Sequence, residues 1–199
     1  MIRKRAERLT DICCERKWIE EERRDWCIYT FEKWLSILLF FSVVMLWMLA
    51  SGLYIETVSF LAPFYLLRRR IGGCHARTQK QCFLISLAMV MLVSAFLGKW
   101  LLALPLGVLI VLDAVIVMLG FAMYPAYPPQ VNFTAAEKRA NNRRKNILLL
   151  VIFLIQIFSA VLSSNRILAY SICGLALTVV TVVIQKIKIK KGEMQNEET

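Results

Sequence analysis

Trp34-Leu-Ser-Ile-Leu-Leu-Phe-Phe-Ser-Val-Val-Met-Leu-Trp-Met-Leu-Ala-Ser-Gly52 contains no charged residue. Its length matches the roughly 20 residues a helix needs to cross the hydrocarbon core of a bilayer. Working outward, further apolar segments run Leu53–Leu67, Phe83–Gly98, Trp100–Tyr124, Ile147–Ser163 and Ile167–Gln185. The first, fourth, fifth and sixth segments are of spanning length, and the second and third are short. Trp34–Leu67 is interrupted only by Glu56; as one straight helix it would rise about 50 Å, too long for one crossing and short for two. The expectation is one full helix and one short, tilted or re-entrant helix bent at Pro63. The fold class is therefore all-α: a polytopic membrane protein with about six membrane helices, one or two of them short or re-entrant.

Composition agrees. Of 199 residues, 58% are apolar, and the mean hydropathy is +0.58. A soluble domain carries about 45–50% apolar residues even with glycine included. This argues against a soluble enzyme, a disordered chain and a disulfide-stapled module. The net charge is +11, which in a chain this apolar points to lipid and not to nucleic acid. Six cysteines include no Cys-x-x-Cys pair, and there is one histidine, His75, so no metal site and no cofactor are expected. No secretory signal is read in residues 1–33, which are dense in charge.

Charge also assigns sides. Residues 1–33 hold nine Lys/Arg, 68–82 five, 124–146 five and 186–199 four, so only Lys99 and Arg166 of the 25 fall elsewhere. If each apolar segment crosses once, all four basic segments share a side, with turns near Gly52, Lys99 and Arg166 on the other. By the positive-inside rule the basic side is cytoplasmic, with both termini there; four crossings and a re-entrant pair would give the same sides. Residues 1–33 thus form a cytoplasmic or interfacial segment, 34–185 the membrane domain, and 186–199 a cytoplasmic tail. Ile2, Ala6, Leu9 and Cys13 repeat at helical spacing among Arg3, Lys4, Arg5 and Arg8, an amphipathic helix suited to the headgroup region.

The chemistry is sought in the cytoplasmic connection Arg68-Arg-Arg-Ile-Gly-Gly-Cys-His-Ala-Arg-Thr-Gln-Lys-Gln-Cys82. Gly72 and Gly73 permit a sharp turn before His75. Thr78-x-x-Gln81 reads as a capping box opening the next helix. That places Cys82 in the first helical turn, where the helix dipole and the basic neighbours Arg77 and Lys80 favour a thiolate. A Cys–His pair is the minimal activated nucleophile: the imidazole takes the proton and sulfur attacks a carbonyl. The bland alternative is a basic loop with an incidental His and Cys, and Cys74 is a rival nucleophile on spacing alone. Asp113 is a second candidate, an acid within an apolar segment and so a functional hypothesis or a hydrogen-bonded tie between helices. Glu56 reads as lying near the outer surface. Pro105, Pro125, Pro128 and Pro129 shape helix ends and a stiff loop.

The motif resembles that of the accessory gene regulator B (AgrB) family of Gram-positive bacteria: an Arg-rich helix end, Gly-Gly-x-His, and a Cys seven residues after the His. Here these are Arg68 to Arg70, Gly72-Gly73-Cys74-His75 and Cys82. Glu20-Glu-Glu followed by Tyr29, and the loop Tyr124-Pro-Ala-Tyr-Pro-Pro129 followed by a basic cluster, extend the likeness over nearly the whole chain. The resemblance implies a membrane cysteine endopeptidase that cuts a small AgrD-like precursor peptide. It holds part of that peptide as a thioester and releases a thiolactone or lactone ring, the precursor of a quorum-sensing autoinducer. On that basis Cys82 is the nucleophile, His75 the base, and Arg68 and Gly73 supporting positions. Position 74 varies in the family, which disfavours Cys74. Arg143, Arg144 and Lys145 match the basic run expected to recognise the precursor's acidic tail, the alternative being a topology signal only. A homodimer in the cell membrane is also implied. The rival from another class is a non-enzymatic transporter or membrane scaffold built around Asp113.

Overall fold

The computed structural model describes residues 2–72, 79–125, 134–162 and 164–197, and among these there is no strand. Helix α1 (Ile2–Glu15) turns back at Lys17, whose φ is 55°. After a 3-10 turn, Glu21–Arg23, helix α2 (Arg24–Ser51) runs for 28 residues. Arg24 donates to Asp11 Oδ1 at 2.7 Å, tying α2 to α1. The face α1 buries is displaced from the expected stripe. Ala6 and Thr10 are buried while Leu9 and Ile12 remain exposed. Two small residues one turn apart let the helices approach closely, and the Thr10 hydroxyl is satisfied by the Ala6 carbonyl at 2.9 Å. The helix that carries the first apolar segment thus starts at Arg24, within the charged N-terminal segment.

Gly52 ends α2. Its φ of 70° is the left-handed conformation open to glycine, and its N–H donates to the Met48 carbonyl. Helix α3 (Tyr54–Ile71) follows with Pro63 inside it. Its inward stripe, Thr57, Phe60, Phe64, Leu67 and Ile71, is buried. Most of that stripe lies on α8 (Asn165–Glu197). Gly174 of α8 sits directly on the Phe60 carbonyl and the Pro63 ring, where a Cβ would collide with backbone. At this place only glycine permits the approach.

Helix α4 (Gln79–Leu92) continues through a π-helical turn, Val93–Leu97, into α5 (Gly98–Leu102). The π turn marks a junction: Trp47 Nε1 donates to Ser94 Oγ at 3.0 Å, and the Tyr170 hydroxyl donates to the Ser94 carbonyl at 3.3 Å. This joins α2, α4 and α8. The break expected near Lys99 lies later. Gly98 and Lys99 are helical, and the chain turns at 103–105 before α6 (Leu106–Ala122). Pro105 fixes the break, because the residue before a proline is driven out of helical conformation. The segment expected at Trp100–Tyr124 is consequently a 17-residue helix, and the preceding one extends to Leu102. Helix α7 (Ala135–Val161) opens with a capping box: Thr134 Oγ1 accepts from the Glu137 N–H, and Glu137 accepts from the Thr134 N–H at 2.8 Å.

Glu21–Ser51, Gln81–Leu102, Ala135–Val161 and Asn165–Lys190 are long and apolar enough to cross a membrane; Leu106–Ala122 is shorter. Their outward side chains, such as Trp34, Leu46, Leu154 and Phe158, are exposed, as lipid contact requires. One core cluster joins Leu67 and Ile71 of α3, Val117 of α6, Leu149 of α7 and Val182 of α8. It brings the C-terminal ends of α3 and α6, the start of α7 and the later part of α8 to one end of the bundle. Their basic flanking segments therefore gather there. At the other end Arg166 lies 3.7 Å from Glu56.

Candidate active site at the basic end

Arg68 occupies the last turn of α3, with its guanidinium 5.4 Å over the Phe64 ring. Its carbonyl accepts the Gly72 N–H at 3.1 Å, and Gly72 has φ 80°. The Arg-rich helix end is thus formed, and Gly72 closes it with the positive φ that glycine permits. Gly73, Cys74 and His75, with the rest of 73–78, lie outside the described residues, as does Thr78 of the expected capping box.

Cys82 lies in the opening turn of α4 as described, half-buried and not in a disulfide. The next residue, Phe83, meets Phe40 of α2 edge-on at 6.1 Å, which fixes the start of α4 against α2. The other described cysteines lie elsewhere, and Cys13, Cys14 and Cys173 are partly buried like Cys82. Cys27 is buried. Cys173 packs among apolar side chains of α2, α3 and α4. Cys14 has its thiol pushed above the usual range, by partial desolvation first and by Glu21 second.

The basic run divides. Arg143 and Arg144 are exposed on α7, whereas Lys145 is fully buried. Lys145 Nζ donates to the carbonyls of Gly120 at 2.9 Å, Phe121 at 3.2 Å and Met123 at 2.7 Å. These belong to the end of α6, where carbonyls lack helical partners and the dipole is negative, so three ammonium donors meet three acceptors. Lys145 is a buried cap fastening α7 to α6, set apart from its two exposed neighbours. The sequence carried the signal: Lys145 shares the inward spacing of Leu149, Ile152, Gln156 and Ser159.

Asp113 is buried, and its Oδ1 has no hydrogen-bond partner among the described residues. It lines a cavity with Gln156 of α7, a polar neighbour that sequence reading missed because the two are far apart along the chain. Among the described residues, no three His, Cys, Asp or Glu side chains come together as metal ligands would.

An all-helical membrane bundle with an Arg-rich helix end, a glycine turn and a half-buried cysteine at its basic end defines a narrow class. The sequence pattern of the family described as Accessory gene regulator B matches residues 6–185, and the chain belongs to that family. No curated protein and no solved structure matches it. Membership places the chain in the processing of quorum-sensing peptides at a membrane.

Proposed function

We propose that the chain is a membrane cysteine endopeptidase that cleaves an AgrD-like precursor and closes part of it into a thiolactone or lactone ring. The observation that carries this reading is the half-buried Cys82 opening α4, seven residues after the chain's one histidine, at the end of the bundle where the basic segments gather. In this reading His75 takes the Cys82 proton and the sulfur attacks the scissile carbonyl. Collapse of the tetrahedral adduct breaks the C–N bond. The leaving amine takes the proton from His75, and the N-terminal part of the precursor stays on Cys82 as a thioester. A Cys thiol or Ser hydroxyl within the peptide then attacks the thioester, passes its proton to His75 and frees Cys82. Holding the acyl group at a membrane face limits hydrolysis, and tethering makes closure effectively unimolecular.

Arg68 and Gly73 support the motif. Arg143 and Arg144 present charge for an acidic precursor tail, and Lys145 supports them by holding α7 to α6. The basic end faces the cytoplasm, the membrane is the cell membrane of a Gram-positive bacterium, and two copies associate. The test uses purified full-length protein in vesicles with synthetic precursor. Wild type gives a hydroxylamine-sensitive adduct on Cys82 and a cyclic product. Cys82→Ala gives neither while remaining inserted. Cleavage by Cys82→Ala at the wild-type rate would discard the reading.

A further inference from the structure

Helix α4 runs through the π turn Val93–Leu97 into α5. Cys82 lies in its opening turn, about three helical turns before the π turn. The π turn is closed by the Gly98 N–H, which donates to the Val93 carbonyl in an i→i+5 bond. Such a turn holds one residue more than an α turn and is rare. Two side chains from other helices favour it here. Trp47 Nε1 of α2 donates to Ser94 Oγ at 3.0 Å, and that hydroxyl donates to the Val90 carbonyl at 2.7 Å. The Tyr170 hydroxyl of α8 donates to the Ser94 carbonyl at 3.3 Å. The Tyr170 ring lies where a Cβ on Gly98 would stand. Ser94 and Tyr170 are 0% and 1% exposed, so water does not replace a bond that is lost there.

The two halves of this helix are seated on different neighbours. Before the π turn, Phe83 meets Phe40 edge-on at 6.1 Å, and Val90 and Val93 pack with Val44 and Phe60. After it, Leu101 packs against Leu109, Leu168 and Ile172. One residue of α-helix corresponds to about 100° of rotation. If the extra residue of the π turn passed into regular helix, the Cys82 half would rotate by about that angle against α5. Phe83 would leave Phe40 while Leu101 kept its seat, and the Cys82 side chain would point elsewhere.

We propose that Trp47 and Tyr170 are positioning residues for Cys82: by holding the π turn they set the rotation of α4, and with it the direction in which the Cys82 thiol faces. The consequence for catalysis rests on the reading of Cys82 as the nucleophile, whereas the direction of the thiol does not.

The test uses full-length protein in phosphatidylglycerol nanodiscs and N-ethylmaleimide, with the labelling of each cysteine followed by mass spectrometry. Cys13 on α1 is the internal reference, and an unlabelled Cys27, which is buried, shows that the fold is intact. The ratio of the Cys82 rate to the Cys13 rate is expected to change at least threefold in Tyr170→Phe and in Trp47→Phe. Ile152→Ala, a destabilising core change on α7, should leave the ratio within about 1.5-fold. Deletion of Phe96, an exposed residue of the π turn, removes the extra residue without rotating either half. It should therefore restore the ratio in the Tyr170→Phe background to within about 1.5-fold of wild type, which relief of a general destabilisation would not do. With precursor, Tyr170→Phe should lower kcat at least fivefold with KM within twofold, and the deletion should recover kcat. An unchanged ratio in well-folded Tyr170→Phe and Trp47→Phe would overturn the proposal. So would a Phe96 deletion that leaves the altered ratio as it is. Should Tyr170→Phe fold poorly, Ser94→Ala removes the acceptor of Trp47 and carries the same ratio and rescue test. A ratio that changes and is rescued in a protein that cleaves no precursor would reject the peptidase reading and leave the positioning standing.

Discussion

Cys82 and Asp113 are both polar positions in a predominantly apolar chain, and they lie in opposite settings. Cys82 opens a helix at the end of the bundle where basic segments meet, half accessible. Asp113 sits midway along α6 with 2% exposure and an oxygen lacking a partner. In the proposed function the first setting brings a charged peptide to a nucleophile. The second holds its carboxyl group among apolar side chains of α6 and α7. The cysteine and the buried acid thus differ in accessibility, and each should respond to a different perturbation.

If the division is real, Cys82→Ala should lower precursor cleavage at least about a thousandfold, with insertion and thermal stability unchanged. His75→Ala should match it. Comparable loss on Asp113→Asn in well-inserted protein would erase the division. In the interior, replacing Gly174 by Leu should lower stability by about 1–3 kcal/mol or more through overpacking, because its Cβ meets the Phe60 carbonyl. Thermal unfolding in detergent measures this, and Gly98→Ala should also lower stability because its Cβ meets the buried Tyr170 ring.

The basic run refines the comparison within a single turn of helix. Lys145→Met leaves three carbonyls of α6 without their donor, and a stability loss of about 1–3 kcal/mol is expected. Arg143→Gln with Arg144→Gln should leave unfolding unchanged and weaken precursor binding about twofold to fivefold per residue, as exposed charges contribute about 1 kcal/mol or less. An unfolding shift in the double Arg variant, with normal binding, would reverse these assignments. The smallest effect is expected for Asp113→Asn on cleavage, a change within about twofold, read in the same reconstituted assay.

Much of this was open to direct reading. Apolar length gave the all-helical class, with four helices of crossing length among the described residues where about six are expected; charge asymmetry gave the basic end, and the positive φ of Gly72 after Arg68 to Arg70 followed from glycine's freedom there. What escaped depends on long-range contact. The late break at Pro105 was misplaced because Gly98 and Lys99 look like a turn, yet Gly98 is helical and serves instead to admit the Tyr170 ring. Lys145 counted with Arg143 and Arg144 because composition registers charge and ignores direction. Gln156 and Ser171 went unnoticed because nothing local sets two polar residues on different helices apart from incidental ones.

The seating of α3 on α8 has a consequence in time. Phe60 and Pro63 meet Gly174 across more than a hundred residues of intervening chain. At about 5–20 residues per second of synthesis, α3 waits several seconds to tens of seconds before the surface it packs on exists. During that interval Thr57 and Phe64, later buried, lack their permanent cover. The Arg68 helix end that precedes the motif is therefore set in place by α8, which emerges much later. A chain interrupted before that helix would carry every motif residue and no finished support for them.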